Sequence, residues 1–214
     1  MVTSIIAITG PSGSGKSYLA QALLEELHSP ADNISAEILA EDSYYHDQSD
    51  TPLEQRKAVN YDHPSALEHE LLLQHLQELK TGAPVEVPQY DYTRHTRSKM
   101  TRVLKPTTLL IVEGILLLSH SELRQHFDLR LFVDTPLDVC LSRRMRRDCE
   151  ERGRSRESVL EQFETTVRPM FHRFIEPTRE YAHMVLSGDE AAAGMTAQIR
   201  KELENRGVLS DAAE

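Results

Sequence analysis

Short apolar runs alternate along the chain with longer segments in which apolar residues recur every three or four positions. The runs are almost entirely apolar, which is typical of strands buried on both faces of a parallel sheet, and the periodic segments predict the helices between them. The predicted strands span residues 4–9, 35–40, 109–112, 129–134 and 184–187. The predicted helices span residues 17–28, 65–80, 136–152, 156–181 and 190–205. This order predicts an α/β fold in which helices cover both faces of a five-stranded parallel sheet, giving three α/β/α layers.

One segment interrupts this alternation. Residues 85–88 and 101–104 are short extended runs that flank a polar stretch at residues 89–100. This pattern predicts a β-hairpin insertion over about residues 85–104, with its polar stretch projecting over the edge of the sheet. The sequence has no repeat and no low-complexity linker, so we expect residues 1–214 to form a single domain with a frayed polar end at 210–214.

The composition limits the kinds of molecule that the protein is expected to bind. Hydrophobic residues make up 39% of the chain and charged residues 27%, with a formal net charge of −10. A negative surface disfavours nucleic acids and anionic membranes, and the longest apolar runs, at residues 109–112 and 115–118, are too short to span a bilayer. Cys140 and Cys149 lie nine residues apart on one predicted helix, a spacing that predicts free thiols. We therefore expect a cytoplasmic protein with neither a nucleic acid nor a membrane as partner.

The first predicted strand leads directly into the pattern G-x-x-x-x-G-K-[ST], and a predicted helix follows it. In this context the glycines let backbone N–H groups turn onto phosphate oxygens at the positive end of the helix. Lys16 would reach the β- and γ-phosphates, and the Ser17 hydroxyl would be one ligand of a bridging Mg²⁺. The pattern therefore predicts a nucleoside triphosphate site. Its residues are Gly10, Pro11, Ser12, Gly13, Ser14, Gly15, Lys16 and Ser17.

Acidic residues follow two of the predicted strands. Glu41 and Asp42 come after the second strand, and Glu113 comes after the third. Because ligands of open α/β sheets bind beyond the carboxyl ends of the strands, we expect these acids to face the phosphate-binding loop. Asp42 could accept a proton from an attacking hydroxyl or hold Mg²⁺ through water, although an isolated Asp would also suit a helix cap. Glu113 is expected to be the second anchor of the metal.

Arginines are concentrated in residues 143–156, where seven of them accompany three acids. Such a charge run is usually a solvated helix face, but Arg143, Arg147 and Arg154 could line one side and close over a triphosphate. We therefore predict an Arg-rich helical lid over about residues 143–165, with a hinge at Gly153. An RNA-binding arginine helix is the alternative, and the lack of aromatic stacking residues nearby disfavours it.

A second set of residues suggests a binding site for another molecule besides the triphosphate. Asp62 precedes a helix start that begins with proline, and Tyr90 and His95 lie on the predicted hairpin. Tyrosine and histidine side chains above the sheet would suit stacking on a nucleobase and recognition of its edge. The alternatives are that Asp62 caps a helix and that His95 is an ordinary surface histidine.

Taken together, these segments resemble the uridine kinase (uridine–cytidine kinase) family, in particular its bacterial members, from about residue 4 to residue 187. The resemblance is carried by the phosphate-binding loop, the arginine pair and residues 41–45, 60–64, 88–92, 95–97, 113–115, 132–136, 147–148, 151–154 and 167–170. It implies a P-loop kinase fold and transfer of the γ-phosphoryl group of ATP or GTP to the 5′-hydroxyl of uridine or cytidine. It also implies a homo-oligomer, commonly a tetramer, that CTP and UTP inhibit. Residues 187–190 depart from the family pattern, so the choice between ATP and GTP stays open.

The resemblance also implies roles for residues that the patterns single out. Asp42 is implied as the catalytic base, with Lys16 and Arg147 as further catalytic residues. Ser17 and Glu113 are implied, with Asp42, as the residues around Mg²⁺. The implied substrate contacts are Asp62 for the ribose hydroxyls, Tyr90 and His95 for the base, Tyr61 for the pocket wall, and Arg144, Arg154 and Gln162 for the nucleoside; Arg147 and Arg152 match phosphate contacts.

Two other functions remain open at this point. A phosphoribulokinase-like or pantothenate kinase-like enzyme would phosphorylate another hydroxyl on the same scaffold, but a sugar phosphate requires additional cations for its phosphate group. A nucleotide-dependent switch would bind the triphosphate without an acceptor, and the guanine-reading pattern Asn-Lys-x-Asp is absent from the sequence.

Overall fold

The computed structural model describes residues 3–28, 34–151 and 153–209. Its strands are β1 (Ser4–Thr9), β2 (Ala36–Ala40), β3 (Val85–Asp91), β4 (Thr96–Leu104), β5 (Leu109–Glu113), β6 (Leu129–Asp134) and β7 (Met184–Ser187). Five of them form a parallel sheet in the order β2-β5-β1-β6-β7. The predicted parallel sheet is therefore confirmed, and the ends of its strands differ from the predicted ends by at most one residue.

The helices are α1 (Lys16–Leu27), α2 (Leu53–Lys57), α3 (His69–Lys80), α4 (Ser121–His126), α5 (Leu137–Glu150), α6 (Arg156–Gln162), α7 (Arg168–Met170) and α8 (Ala192–Asn205). The sequence pattern does not predict α2 and α4, because five or six residues are too few to show helical periodicity. α3 begins later than predicted, because Pro64 starts a separate 3₁₀ turn at Pro64–Ala66. None of the helices in the described ranges combines the length and the apolar character needed to cross a membrane.

The central strand β1 is buried on both faces, which explains its continuous run of apolar residues. Ile5 and Ala7 belong to one hydrophobic core, which α3 and α4 help to form, whereas Ile6 and Ile8 belong to a second core with α1 and α8. All four side chains are fully buried. The predicted three-layer α/β/α arrangement is confirmed, and it places the phosphate-binding loop at the carboxyl end of the central strand.

β3 and β4 form the predicted hairpin as a separate antiparallel pair, with Val85 opposite Leu104 and Asp91 opposite Thr96. The predicted extent of the polar loop, residues 89–100, is wrong, because most of this stretch continues the two strands and the turn spans only residues 92–95. The residues of these strand ends are mostly polar, so they show no alternation of apolar and polar positions that would predict a strand. His95 closes the turn in a left-handed conformation with φ +50°.

The predicted helix at residues 156–181 is one helical stretch whose hydrogen bonding changes along its length. π-helical turns follow α6 and α7, at Phe163–Val167 and Phe171–Ile175, and a 3₁₀ turn at Glu176–Tyr181 ends the stretch. Pro169 and Pro177 lie within it, and neither has the N–H group that a regular α-helix would pair. The two prolines account for the departure from a uniform α-helix.

Candidate active site

The phosphate-binding loop lies between the end of β1 and the start of α1, as predicted. Gly10, Gly13 and Gly15 have φ angles of +147°, +89° and +100°, a region in which a side chain would be strained. A Cβ atom at Gly13 would also lie 2.5 Å from the carbonyl oxygen of Cys140, so the loop packs directly on α5. Ser14 Oγ is buried and has no hydrogen-bond partner in the described ranges, which leaves this polar atom available to a ligand.

A cavity of about 590 Å³ opens beside the loop, between α5 and the turn from β7 to α8. Its volume is typical of a site for a small molecule or cofactor. Lys16 lines the cavity and is only 9% exposed, and four arginines of α5 line it as well. A positively charged cavity next to a glycine loop and a helix N-terminus suits the phosphates of a nucleotide.

Ser17 and Glu113, the predicted metal ligands at the start of α1 and the end of β5, are in contact. The Ser17 hydroxyl donates a hydrogen bond of 3.1 Å to Glu113 Oε2. Burial raises the pKa of Glu113, the Lys16 ammonium opposes this rise, and the charge of Asp42 adds to it. A desolvated carboxylate next to another acid is stabilised by a cation, so these residues fit the Mg²⁺ of a bound nucleotide.

The protein offers only a few side chains that could bind Mg²⁺, which is common for magnesium sites. Within residues 3–28, 34–151 and 153–209, no cluster of three or more His, Cys, Asp or Glu side chains is suited to a metal. Mg²⁺ that binds together with a nucleotide commonly uses one or two carboxylates, because phosphate oxygens and water complete its octahedral shell.

Asp42 lies in a 3₁₀ turn, Glu41–Tyr44, at the carboxyl end of β2. Its Oδ2 accepts a hydrogen bond of 2.8 Å from the hydroxyl of Tyr92 on the hairpin turn. Asp62 is only 5% exposed, and burial raises its pKa; the Arg144 guanidinium opposes this rise, and the charge of Asp42 adds to it. The structure therefore brings Asp42 and Asp62 into one electrostatic neighbourhood beside the phosphate-binding loop.

Glu41, the other acid of this turn, does not face the crevice, contrary to the prediction. It is fully buried, with Oε1 at 2.8 Å from His69 Nε2 and with Oε2 accepting the Leu116 N–H at 2.9 Å. A Cβ atom at Gly114 would lie 2.2 Å from Glu41 Oε2, so the glycine makes room for the buried carboxylate. Glu41 thus ties β2 to α3 and to the segment after β5, and it fixes the backbone that carries Asp42.

Gly114→Ala is expected to lower the free energy of unfolding by about 3 kcal/mol or more, because the added methyl group displaces the Glu41 carboxylate from its hydrogen bonds. Urea unfolding followed by circular dichroism measures the loss. Gly82→Ala is the comparison, since φ +90° makes that substitution strained while its added Cβ meets nothing within 4 Å. A loss at Gly114 no larger than the loss at Gly82 would contradict this packing role.

Five aromatic residues form a contiguous cluster next to the crevice. Tyr61 stacks on His95 with ring centroids 5.7 Å apart, and Tyr45 contacts Tyr61 and Tyr90 at 5.1 and 5.0 Å. Tyr90 in turn contacts Tyr92 at 5.2 Å. The Tyr90 hydroxyl is buried beside the Tyr61 hydroxyl, and burial together with this contact raises its pKa, so it stays protonated and can donate to a polar ligand atom. The structure thus brings the predicted Tyr61, Tyr90 and His95 together and adds two tyrosines to them.

The segment predicted as a lid comprises the second half of α5, a turn and α6. Gly153 in the turn has φ +63°. Arg144 is 7% exposed and links two elements, since it donates to Ser12 Oγ of the loop at 3.0 Å and to Gln162 Oε1 of α6 at 2.9 Å. Arg154 donates to the same oxygen of Gln162. Three of the predicted substrate contacts therefore form one network that reaches the phosphate-binding loop.

Arg143 lines the cavity together with Arg147, and it also makes contacts within the protein. Its terminal nitrogens donate to the backbone carbonyls of Ser14 and Gly188, each at 3.1 Å, so it ties the loop to the turn after β7. Arg147 lines the cavity beside the loop. Arg152, the other predicted phosphate contact, lies outside the described residues.

Two residues without a predicted role contact the site. Tyr92 binds Asp42, and nothing in the sequence distinguishes it from the other aromatic residues of the hairpin. Asp148 is fully buried among the arginines of the lid segment. Its position gives a usable signal, because an acid four residues after Arg144 falls on the same side of the helix.

The parallel sheet, the glycine loop at the end of its central strand and the acids beside the loop define the fold of a P-loop kinase. A kinase assigned to a fructose transport system in Silicibacter sp. is similar, with a TM-score of 0.72 and 22% identity over 86% of this chain and 89% of that one. Shikimate kinase from Acinetobacter baumannii is also similar, with a TM-score of 0.51 and 17% identity over 95% of this chain and 94% of that one. At these identities the similarity concerns the fold alone.

The sequence comparisons are more specific. The model of the phosphoribulokinase/uridine kinase family matches residues 5–190. Uridine kinase from Proteus mirabilis is 51% identical over 183 residues, which cover 86% of each chain. Uridine kinase from Yersinia enterocolitica is 53% identical over 182 residues, which cover 85% of each chain. The chain belongs to the phosphoribulokinase/uridine kinase family.

Proposed function

We propose that this protein is a uridine/cytidine kinase, which transfers the γ-phosphoryl group of a nucleoside triphosphate to the 5′-hydroxyl of uridine or cytidine. The relatives named uridine kinase, which match most of the chain, support this proposal. The observation that carries it is the 2.8 Å hydrogen bond between Tyr92 and Asp42, because it joins the aromatic cluster to the acid beside the phosphate-binding loop. Asp42 thus lies between the aromatic cluster, which we propose to bind the base, and the site that we propose for the triphosphate.

On the donor side, residues 10–17 bind the phosphates of ATP or GTP, and Lys16 contacts the β- and γ-phosphates. Arg147 and Arg152 neutralise the charge that develops on the transferred phosphoryl group. Fixed cations are the main contribution that a protein makes to this reaction, because phosphoryl transfer depends on positioning and electrostatics rather than on covalent chemistry.

Asp42 acts as the general base, accepting the proton of the 5′-hydroxyl as that oxygen attacks. Ser17 and Glu113, together with Asp42, would hold Mg²⁺, which would supply charge neutralisation for the phosphates. The contact between Ser17 Oγ and Glu113 Oε2 and the burial of Glu113 support this assignment.

On the acceptor side, Asp62 binds the ribose hydroxyls and the aromatic cluster binds the base. The clustered aromatic rings suit stacking on a nucleobase, which a sugar phosphate lacks, so they favour a nucleoside as the acceptor. The acceptor contacts we propose are Asp62, Tyr61, Tyr90, His95, Arg144, Arg154 and Gln162.

Incubation of the protein with ATP, Mg²⁺ and uridine, followed by chromatography, tests the proposal. UMP is expected, and CMP is expected when cytidine replaces uridine. Hydrolysis of ATP without a nucleotide product would favour a nucleotide-dependent switch. Phosphorylation of a sugar phosphate or of pantothenate, but not of uridine, would favour the other kinase functions.

We further infer that the enzyme is a single-domain cytoplasmic homo-oligomer, a tetramer by family resemblance, that CTP and UTP inhibit. The free thiols of Cys140 and Cys149 suit a reducing compartment. We infer no nucleic acid or membrane partner. Sedimentation of the purified protein tests the assembly, and initial rates measured with added CTP or UTP test the inhibition.

A further inference from the structure

A buried carboxylate lies behind the arginines of the lid segment. Asp148, near the end of α5, is fully buried. Its Oδ1 accepts a hydrogen bond of 2.9 Å from Nε of Arg147 and also lies 2.9 Å from Nη2 of the same guanidinium group. Its Oδ2 lies 3.4 Å from Arg144 Nε and 3.7 Å from Arg154 Nη1. One acid therefore contacts three of the guanidinium groups that we propose to bind the substrates.

The same residue also shapes the backbone of the turn. The Asp148 carbonyl accepts the N–H of Arg154 at 3.1 Å, across the turn that contains Gly153. This bond brings Arg154 back towards α5, where its side chain reaches Gln162. Asp148 thus fixes both the path of the chain into α6 and the place where Arg154 projects from it.

The two terminal nitrogens of Arg144 bind residues on the side of the candidate active site. Arg144 uses its Nη1 on Ser12 of the phosphate-binding loop and its Nη2 on Gln162 of α6. Because its Nε edge lies against Asp148, its orientation towards the loop is set before any ligand binds. Orientation in advance matters for electrostatic catalysis, since the cations then need no reorganisation during the reaction.

The charges around Arg144 also favour a positioning role for Asp148. Burial lowers the pKa of the Arg144 guanidinium, the carboxylates of Asp62 and Asp148 oppose this fall, and the charges of Arg147 and Arg154 add to it. Without Asp148, three cations would stand close together in a poorly solvated place, and their mutual repulsion would be weakly screened.

We infer that Asp148 is a positioning residue for phosphoryl transfer, which holds Arg144, Arg147 and Arg154 in the arrangement that binds the triphosphate and the nucleoside. It acts through the arginines and touches neither substrate. The identity of the reaction in this inference rests on the proposed function, whereas the effect on triphosphate binding does not. The alternative is a buried ion pair that only stabilises the fold.

Asp148→Asn is expected to lower kcat/KM for uridine about 10–100-fold and to weaken binding of a non-hydrolysable ATP analogue about tenfold, since a neutral amide orients guanidinium groups poorly. Both measurements are made well below the melting temperature of the variant. Asp138→Asn is the matched control, because Asp138 also lies on α5 but is 91% exposed and pairs with Arg168 at 3.6 Å. The control is expected to behave as the wild type does.

A double-mutant cycle with Arg147→Gln separates positioning from stability. If Asp148 acts through Arg147, Asp148→Asn has a several-fold smaller effect on kcat/KM in the Arg147→Gln background than in the wild type. Additive effects in the cycle would overturn the inference, as would wild-type kinetics and analogue affinity in a folded Asp148→Asn variant. If that variant does not fold, Asp148→Glu, which moves the charge by one methylene group, replaces it, and wild-type behaviour again overturns the inference.

A failure of this inference can be distinguished from a failure of the proposed function. A wild-type protein that makes no UMP refutes the uridine kinase proposal. The affinity for the ATP analogue needs no acceptor, so it tests Asp148 in either case.

Discussion

Asp42→Asn is expected to lower kcat for uridine phosphorylation about 10²–10⁴-fold, the range that a general base contributes. The amide cannot take the proton of the 5′-hydroxyl, but it keeps an oxygen that can accept the Tyr92 hydrogen bond. Because residues 10–17 provide the contacts to the triphosphate, the affinity for ATP is expected to change little. A coupled assay measures kcat, and calorimetry measures ATP binding.

Asp50→Asn provides the control for this substitution, since Asp50 is an exposed residue in a turn on the same connection. It is expected to have wild-type kcat. If Asp42→Asn retained normal turnover, Asp42 would not be the base. A loss of ATP affinity as large as the loss of turnover would show that Asp42 acts through the metal alone and not also as the base.

Asp62→Asn is expected to raise KM for uridine about 10–100-fold and to leave KM for ATP nearly unchanged, because each charge-assisted hydrogen bond that it loses is worth about 1.5–3 kcal/mol. Steady-state kinetics with each substrate varied in turn measure the split. The control is a change of substrate: 2′,3′-dideoxyuridine lacks the ribose hydroxyls, so the variant and the wild type are expected to use it equally poorly. A similar loss on both nucleosides would contradict a contact between Asp62 and the ribose.

Asp62→Asn is expected to weaken uridine binding but to stabilise the folded protein at neutral pH. Burial raises the pKa of Asp62 above the ordinary value of an aspartate, so the ionised carboxylate is disfavoured in the folded protein. The stability that protonated Asp62 provides is complete below the unfolded-state pKa and is lost as the pH rises through the folded-state pKa. At neutral pH the melting temperature of Asp62→Asn should therefore equal or exceed that of the wild type, with the advantage disappearing in acid. A melting temperature several degrees below the wild type's at neutral pH would show that pairing with Arg144 outweighs burial.

The strands of the parallel sheet could be predicted because burial on both faces leaves an unambiguous composition. Ile5 and Ile6 pack into different cores, so neither position of β1 tolerates a polar residue. The hairpin carries no such signal. Its strand ends are mostly polar and only partly buried, so their composition is also typical of a loop.

Site residues could be predicted where their chemistry is local in the sequence, as in the loop at residues 10–17. Contacts between segments that lie far apart in the sequence could not be predicted from local patterns. Asp42 and Tyr92 are 50 positions apart, and Ser12 and Arg144 are 132 positions apart. Only the packing of the hairpin and of α5 on the sheet brings these pairs together, and no periodic pattern encodes it.

A kinase that carries an acid beside its triphosphate must avoid transferring the γ-phosphoryl group to water. Tyr92 donates a hydrogen bond of 2.8 Å to one oxygen of Asp42, although the tyrosine itself is 46% exposed at the tip of the hairpin. An oxygen engaged in this way is a poorer acceptor for the proton of a water molecule. The capacity of Asp42 to accept a proton therefore depends on where the hairpin places Tyr92.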